Sequence, residues 1–205
     1  MNGTMNDTAT ARTTPHPRDF RLTVPDGWIH IVLDPGLWPR QIAAVVDRQF
    51  KGIDNLPVLR RELRDQLTAQ AESAHANGGI ALYLSLLQVD GFPLAAGMIV
   101  SVIPPQEDGT AVPLEQYALA MAASGKSIRM TDTQAGPALL HRYLSAPDPE
   151  TAMGSTLPTV HLDVQLAVPN TGSQLLLSFS SPVAPLAEMM VELFETVANT
   201  LQWVG

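Results

Sequence analysis

The chain contains no cysteine. That excludes a disulfide framework and a thiolate nucleophile, and it leaves any zinc site to histidines and carboxylates. No stretch approaches roughly eighteen uninterrupted apolar residues, so no segment reads as a membrane-spanning helix. Cations are missing from the last third: no Lys or Arg follows Arg142, whereas Asp148, Glu150, Asp163, Glu188, Glu192 and Glu195 all lie beyond it. The formal charge of −8 argues against unspecific nucleic-acid binding, which needs cations to displace counterions along the phosphates.

At 205 residues the chain has the length of one ordinary domain, and 45% hydrophobic with 16% charged residues is a globular composition. Met1 to Pro17 is rich in Thr, Asn and Pro and holds no apolar run that could be a signal segment. Residues 1–18 are therefore expected to be a disordered tail, residues 19–205 a single α+β domain, and the location cytoplasmic. Arg40, Arg48, Lys51, Arg60, Arg61 and Arg64 cluster in sequence, opposite in sign to the acidic end. Two solvated helix faces account for this pattern, and so does a charge-steered partner surface.

Hydrophobic periodicity sets the order of elements. Phe20–Val24 and Trp28–Leu33 read as strands around the turn Pro25-Asp26-Gly27, forming a hairpin or a bent strand. Pro39 opens a helix to about Lys51 with Ile42, Val45, Val46 and Phe50 inward. A second helix, Leu56–Ala76, capped by Asp54 or Asn55, turns Leu59, Leu63, Leu67, Ala71 and Ala74 inward and ends at Asn77-Gly78-Gly79. Ala81–Val89 and Pro93–Ile103 flank Asp90-Gly91-Phe92, a hairpin signal. After a short helix, Pro113–Ala123, the runs Ser127–Asp132, Pro137–Leu144, Thr159–Val168 and Gln174–Ser180 read as a four-strand meander. The stripe Leu186, Met189, Met190, Leu193, Phe194, Val197, Leu201 and Val204 predicts a closing helix over 186–204. Short turns between neighbours require antiparallel pairing, because parallel neighbours need long crossovers. The fold class is α+β: a mainly antiparallel sheet covered by a C-terminal helix and an αα-hairpin.

Chemistry-bearing motifs are weak. There is no Gly-x-Ser-x-Gly elbow, Walker loop or Gly-x-Gly-x-x-Gly turn. Ser124-Gly125-Lys126-Ser127 lacks the upstream glycine of a phosphate loop and precedes a strand, so it reads as a helix stop. Five scattered histidines include no i, i+4 pair; His141 and His161 become neighbours only if their strands pair, which would admit an acid/base or metal site with Asp163. Met189-Met190 reads as core filling, and Trp28, Trp38 and Trp203 as caps on the ends of the core. No catalytic, cofactor or metal residues are assigned.

Leu175-Leu176-Leu177-Ser178-Phe179-Ser180-Ser181-Pro182 runs into Leu186–Trp203, and Val24-Pro25-Asp26-Gly27-Trp28 opens the domain. With Phe194, Val197, Ala198, Thr200 and Leu201 in the last helix, the chain resembles actinobacterial members of the Mog/PsbP-like group, which includes LpqN-type proteins. The same architecture is used by effector-binding chaperones of bacterial secretion systems. The resemblance implies no enzymatic residues, because the group consists largely of binding and accessory proteins. The expected function is a non-catalytic protein-binding module, an accessory or chaperone/immunity-type protein of a secretion or toxin system. Its partner is expected to be an acidic protein met by Arg60, Arg61 and Arg64 or by an open sheet face. A small-ligand or lipid pocket between sheet and helices is the alternative, a hydrolase built on His141 or His161 a third. Sheet edges also admit a homodimer.

Overall fold

The computed structural model describes residues 16–52, 56–85, 88–89, 92–93, 95–146, 158–182 and 184–205. Residues 1–15 of the expected tail, the caps Asp54 and Asn55, the Asp90-Gly91 turn and most of the Ser145–Pro158 connection lie outside them. In chain order the elements are β1 (Asp19–Arg21), β2 (Trp28–Val32), α1 (Trp38–Gln49), α2 (Pro57–Ala76), β3 (Gly79–Ser85), β4 (Gln88–Val89), β5 (Phe92–Pro93) and β6 (Gly97–Ile103). There follow α3 (Leu114–Ala123), β7 (Ile128–Thr133), β8 (Gly136–Ser145), β9 (Thr159–Ala167), β10 (Gln174–Ser181), α4 (Ala187–Asn199) and β11 (Gln202–Val204). The fold is α+β.

Seven strands form one sheet in the order β2-β3-β6-β10-β9-β8-β7, and every neighbouring pair is antiparallel. The meander expected from the turn chemistry is present as β7-β8-β9-β10, with positive φ at Gly136 and Asn170 where the chain reverses. The pairing of β3 with β6 matches the hairpin expected around Asp90-Gly91.

Strand alternation gives the sheet two unlike faces. On one, Met98, Val100, Leu162, Val164, Leu177 and Phe179 are fully buried under α4, with the Phe179 ring stacked on Phe194 at a centroid distance of 4.9 Å. On the other, Ile29, Ile31 and Leu82 pack against Ile42, Val46, Leu67 and Ala71 of the αα-hairpin in a second core. That hairpin covers only the β2–β3 side. The chain passes from α2 to β3 through Gly79, where a Cβ would lie 2.7 Å from the Ala74 carbonyl, so the close approach needs glycine.

Three expectations are corrected. The closing helix stops at Asn199 instead of Val204: Thr200 N–H and Leu201 N–H bond back to Val197 and Ala198, tightening the last turn, and Gln202–Val204 pair with β1. The ladder satisfies backbone groups that a helix end would leave open, while Trp203 Nε1 donates to Ala135 O at 2.9 Å. Consequently β1 and β2 do not form a hairpin together; Gly27, at φ 85°, sends them to different sheets. Lastly, Met189 is 64% exposed with Val191 buried in its place, and Leu59 is 52% exposed because the stripe of α2 reaches the sheet only from Leu63 onward. Trp28 and Trp203 pack on the α4 core and Trp38 in the other, so the tryptophans form no joint cluster.

Phe194→Ala is expected to lower stability by about 3–5 kcal/mol, since the ring is fully buried against Phe179. Urea denaturation of the purified variant measures it.

Candidate functional site

The expected arginine surface divides into two parts. Arg60 is occupied within the fold: its guanidinium donates to Asp47 Oδ1 at 2.7 Å and lies over the Phe50 ring, tying α2 to α1. Arg61 and Arg64 point outward on α2, are exposed, and form no ion pair among the described residues. Val58, 66% exposed, lies one turn before Arg61 on α2, while Leu59 and the N-cap residue Leu56, also exposed, fall toward the side of the inward stripe. Glu62 and Asp65 share the helix, so the patch combines apolar and charged groups of both signs.

The acidic carboxy-terminal stretch is less one-sided in space than in sequence. Arg142 forms a two-pronged pair with Glu188 (Nη1 to Oε2 2.8 Å), and Arg129 reaches Glu195 at 2.6 Å. The bond from Arg142 holds the Glu188 carboxyl below the usual glutamate range, and in turn raises the guanidinium.

The second surface is the sheet face opposite α4. Strand register puts Leu139, His141, Tyr143 and Ser145 of β8 on this face with Gln165, Asp163, His161 and Thr159 of β9. Here α3 covers one end, burying Leu139 and Gln165; Gln165 Nε2 donates to Gln174 Oε1 at 2.5 Å, and Gln174 Nε2 to Val112 O at 2.6 Å. Between α3 and the αα-hairpin, the strands leave Ser101, Leu176, Ser178, His161 and Asp163 half-buried with Tyr143 exposed.

His141 and His161 do become neighbours. Their rings sandwich Tyr143 at 4.7 and 4.6 Å, nearly parallel to it. Ser145 Oγ lies 2.8 Å from His161 Nε2, and Asp163 Oδ2 lies 3.8 Å from His141 Nδ1. Burial pushes His161 below its ordinary 6.5, partly offset by Asp163, and pushes Tyr143 up, with Asp163 adding to the shift. A neutral imidazole against a hydroxyl is two parts of a nucleophilic site. The carboxylate that would orient that imidazole is directed at His141 and forms no ion pair with His161. Among the described residues no group of three or more His, Cys, Asp or Glu side chains is arranged to hold a metal. The sequence held the histidines but not their register, which comes from a pairing across the Ser145–Pro158 connection.

Two open clefts accompany these surfaces. One, about 310 Å³, lies between β7, β8 and α4 and is lined by Thr131, Thr133, Leu140, Glu195, Thr196 and Asn199. The other, about 280 Å³, lies between β2 and α1 beside Trp28, His30, Gln41 and Arg48. Among the described residues no helix is long and apolar enough to cross a membrane.

Because its pKa is lowered in the fold, His161 contributes stability in full above about pH 6.5, and that contribution is lost as pH falls below it toward the folded value. Burial lowers His30 as well, with the same sign. Urea denaturation at about pH 7.5 and 5.5 should show a smaller acid loss for His161→Gln than for wild type. An identical loss would refute a neutral, buried His161.

No family model matches the sequence, and no curated protein matches it. The solution structure of cyanobacterial PsbP (CyanoP) from Synechocystis sp. PCC 6803 is similar at 14% identity and a TM-score of 0.43, covering 90% of this chain and 86% of that one. The fold class given above rests on strand order and pairing, independent of this likeness.

Proposed function

We propose that the chain is a non-catalytic, cytoplasmic protein-binding module that captures an acidic partner through the first half of α2. The observation that carries this reading is the exposure of Val58 one helical turn before Arg61, with Arg64 following on the outer side of α2; both arginines are unpaired among the described residues, whereas Arg60, Arg129 and Arg142 are engaged in ion pairs. An exposed apolar side chain next to arginine fits a protein interface, where arginine is enriched and truncation of a few residues removes most of the affinity. The Mog/PsbP-like, LpqN-type resemblance of the two ends of the chain favours an accessory or chaperone/immunity role in a secretion or toxin system. A lipid or small-ligand role has less support, since the cleft between sheet and α4 is open and mixes Asp132, Glu195, Asn199 and three threonines with Leu140, Val164 and Ala198 as its apolar lining.

The experiment is a pull-down from the source organism with purified wild type and Arg61→Glu/Arg64→Glu, leaving Arg60 unchanged because it holds α1 to α2. Capture by the double variant is expected to weaken about tenfold or more, corresponding to at least ~1.4 kcal/mol. Val58→Asp should weaken capture of the same partner. Undiminished capture by both variants would discard α2 as the contact surface.

A further inference from the structure

The β2 edge of the seven-stranded sheet is closed toward both ends and open at one residue. Gln41 Oε1 accepts the outward Val32 N–H at 3.0 Å, and the Pro25 carbonyl accepts Trp28 N–H at 3.3 Å. Leu33 N–H bonds to Ile80 O on β3, so by alternation Ile31 and Ile29 bond inward too and His30 turns its N–H and C=O outward. Among the described residues neither group has a partner. Helix α1 runs back along this edge. From Gln41, beside Val32, two helical turns advance roughly 10.5 Å, the length of about three strand residues, which brings Arg48 to the Trp28–Ile29 end. The cleft of about 280 Å³ between β2 and α1 therefore has His30 in its middle, Gln41 at one end and Arg48 at the other. Arg48 is exposed and forms no ion pair among the described residues, and no Asp or Glu among them lines the cleft.

We infer that this cleft binds the carboxy-terminal end of an extended peptide, running antiparallel to β2 with its terminal carboxylate on Arg48. A strand that continues past the site needs a row of open pairing residues, and this edge offers one. A chain end needs a single such pair with a cation just beyond it, on the side toward which an antiparallel chain runs. The penultimate residue then exchanges two N–H···O=C bonds with His30, as facing residues of an antiparallel pair do. The guanidinium of Arg48 takes the terminal carboxylate by two parallel N–H···O bonds. The last residue falls opposite Ile29, and alternation turns its side chain to the face that α1 covers, toward Ala44 and Val45. Those walls select an apolar last residue. The inference uses no residue of the α2 reading and does not rest on it, but α1 and α2 form one hairpin, so a single partner can meet both surfaces.

The test is fluorescence anisotropy of the full chain with labelled hexapeptides that carry a free carboxyl end and vary over all residues in the last three positions. Peptides ending in Leu, Ile or Val should be selected, with dissociation constants on the order of 1–100 µM. Amidating the selected peptide's carboxyl end should weaken binding about tenfold or more, and so should Arg48→Glu with unchanged circular dichroism. Arg61→Glu/Arg64→Glu should bind the peptide as wild type does. N-acetyl-leucine, which has the carboxylate and side chain but no preceding strand, should compete at least about tenfold less well than the unlabelled peptide. The inference is overturned if no peptide binds below about 1 mM, or if the amidated peptide or folded Arg48→Glu binds undiminished. Loss of peptide binding in Arg61→Glu/Arg64→Glu would move the contact to α2, and N-acetyl-leucine competing as well as the peptide would make the ligand a small carboxylic acid; either result also overturns it.

Discussion

Burial of β10 under α4 is the constraint on which the rest of the structure depends. Leu175, Leu177 and Phe179 alternate onto one face of a strand that sits at the centre of the sheet, and Phe194 closes over Phe179. With that face committed, the opposite face has to be covered by what remains. The αα-hairpin covers the β2–β3 side and the ten-residue α3 covers one end. Neither reaches the middle, where His141, Tyr143, His161 and Asp163 sit half-buried or exposed. That no described helix lies over this polar stripe is a consequence of how the helices are apportioned between the faces.

Charge follows a similar logic. The acids at the end of the chain have no cations near them in sequence, but α4 crosses the sheet above β7 and β8, so Arg129 and Arg142 come up beneath Glu195 and Glu188. Exposed pairs of this kind contribute little to stability, and their effect is to use up charge that would otherwise be available to a partner. Among the described residues Arg61 and Arg64 form no ion pair, as is true also of Arg18, Arg21, Arg40 and Arg48, and Arg61 lies one helical turn from the exposed Val58.

Much of the fold was legible from local signals. The four-strand meander follows from Asn170-Thr171-Gly172 and the Gly136 turn, and the inward faces of α1 and the strands from their spacing. Errors came where a local pattern met a distant competitor. Leu201 and Val204 continue the helical stripe of α4, yet the chain straightens after Thr200 because Asp19–Arg21, about 180 residues earlier, provides a ladder. Leu59 fits the stripe of α2 but lies beyond the end of the surface that the stripe packs on. Of the site, the arginines could be named, but not the engagement of Arg60 by Asp47, which depends on how α1 and α2 cross.

By itself the sequence determined the type of most elements, the antiparallel pairing within the meander and of β3 with β6, and the exclusion of thiol chemistry, because these depend on side-chain identity and on contacts within a few residues. Only the tertiary structure decided that His141, Tyr143 and His161 stack, and that Gln202–Val204 form a strand with Asp19–Arg21. Those outcomes depend on register between strands far apart in the chain, where a shift of one residue would turn every side chain to the other face.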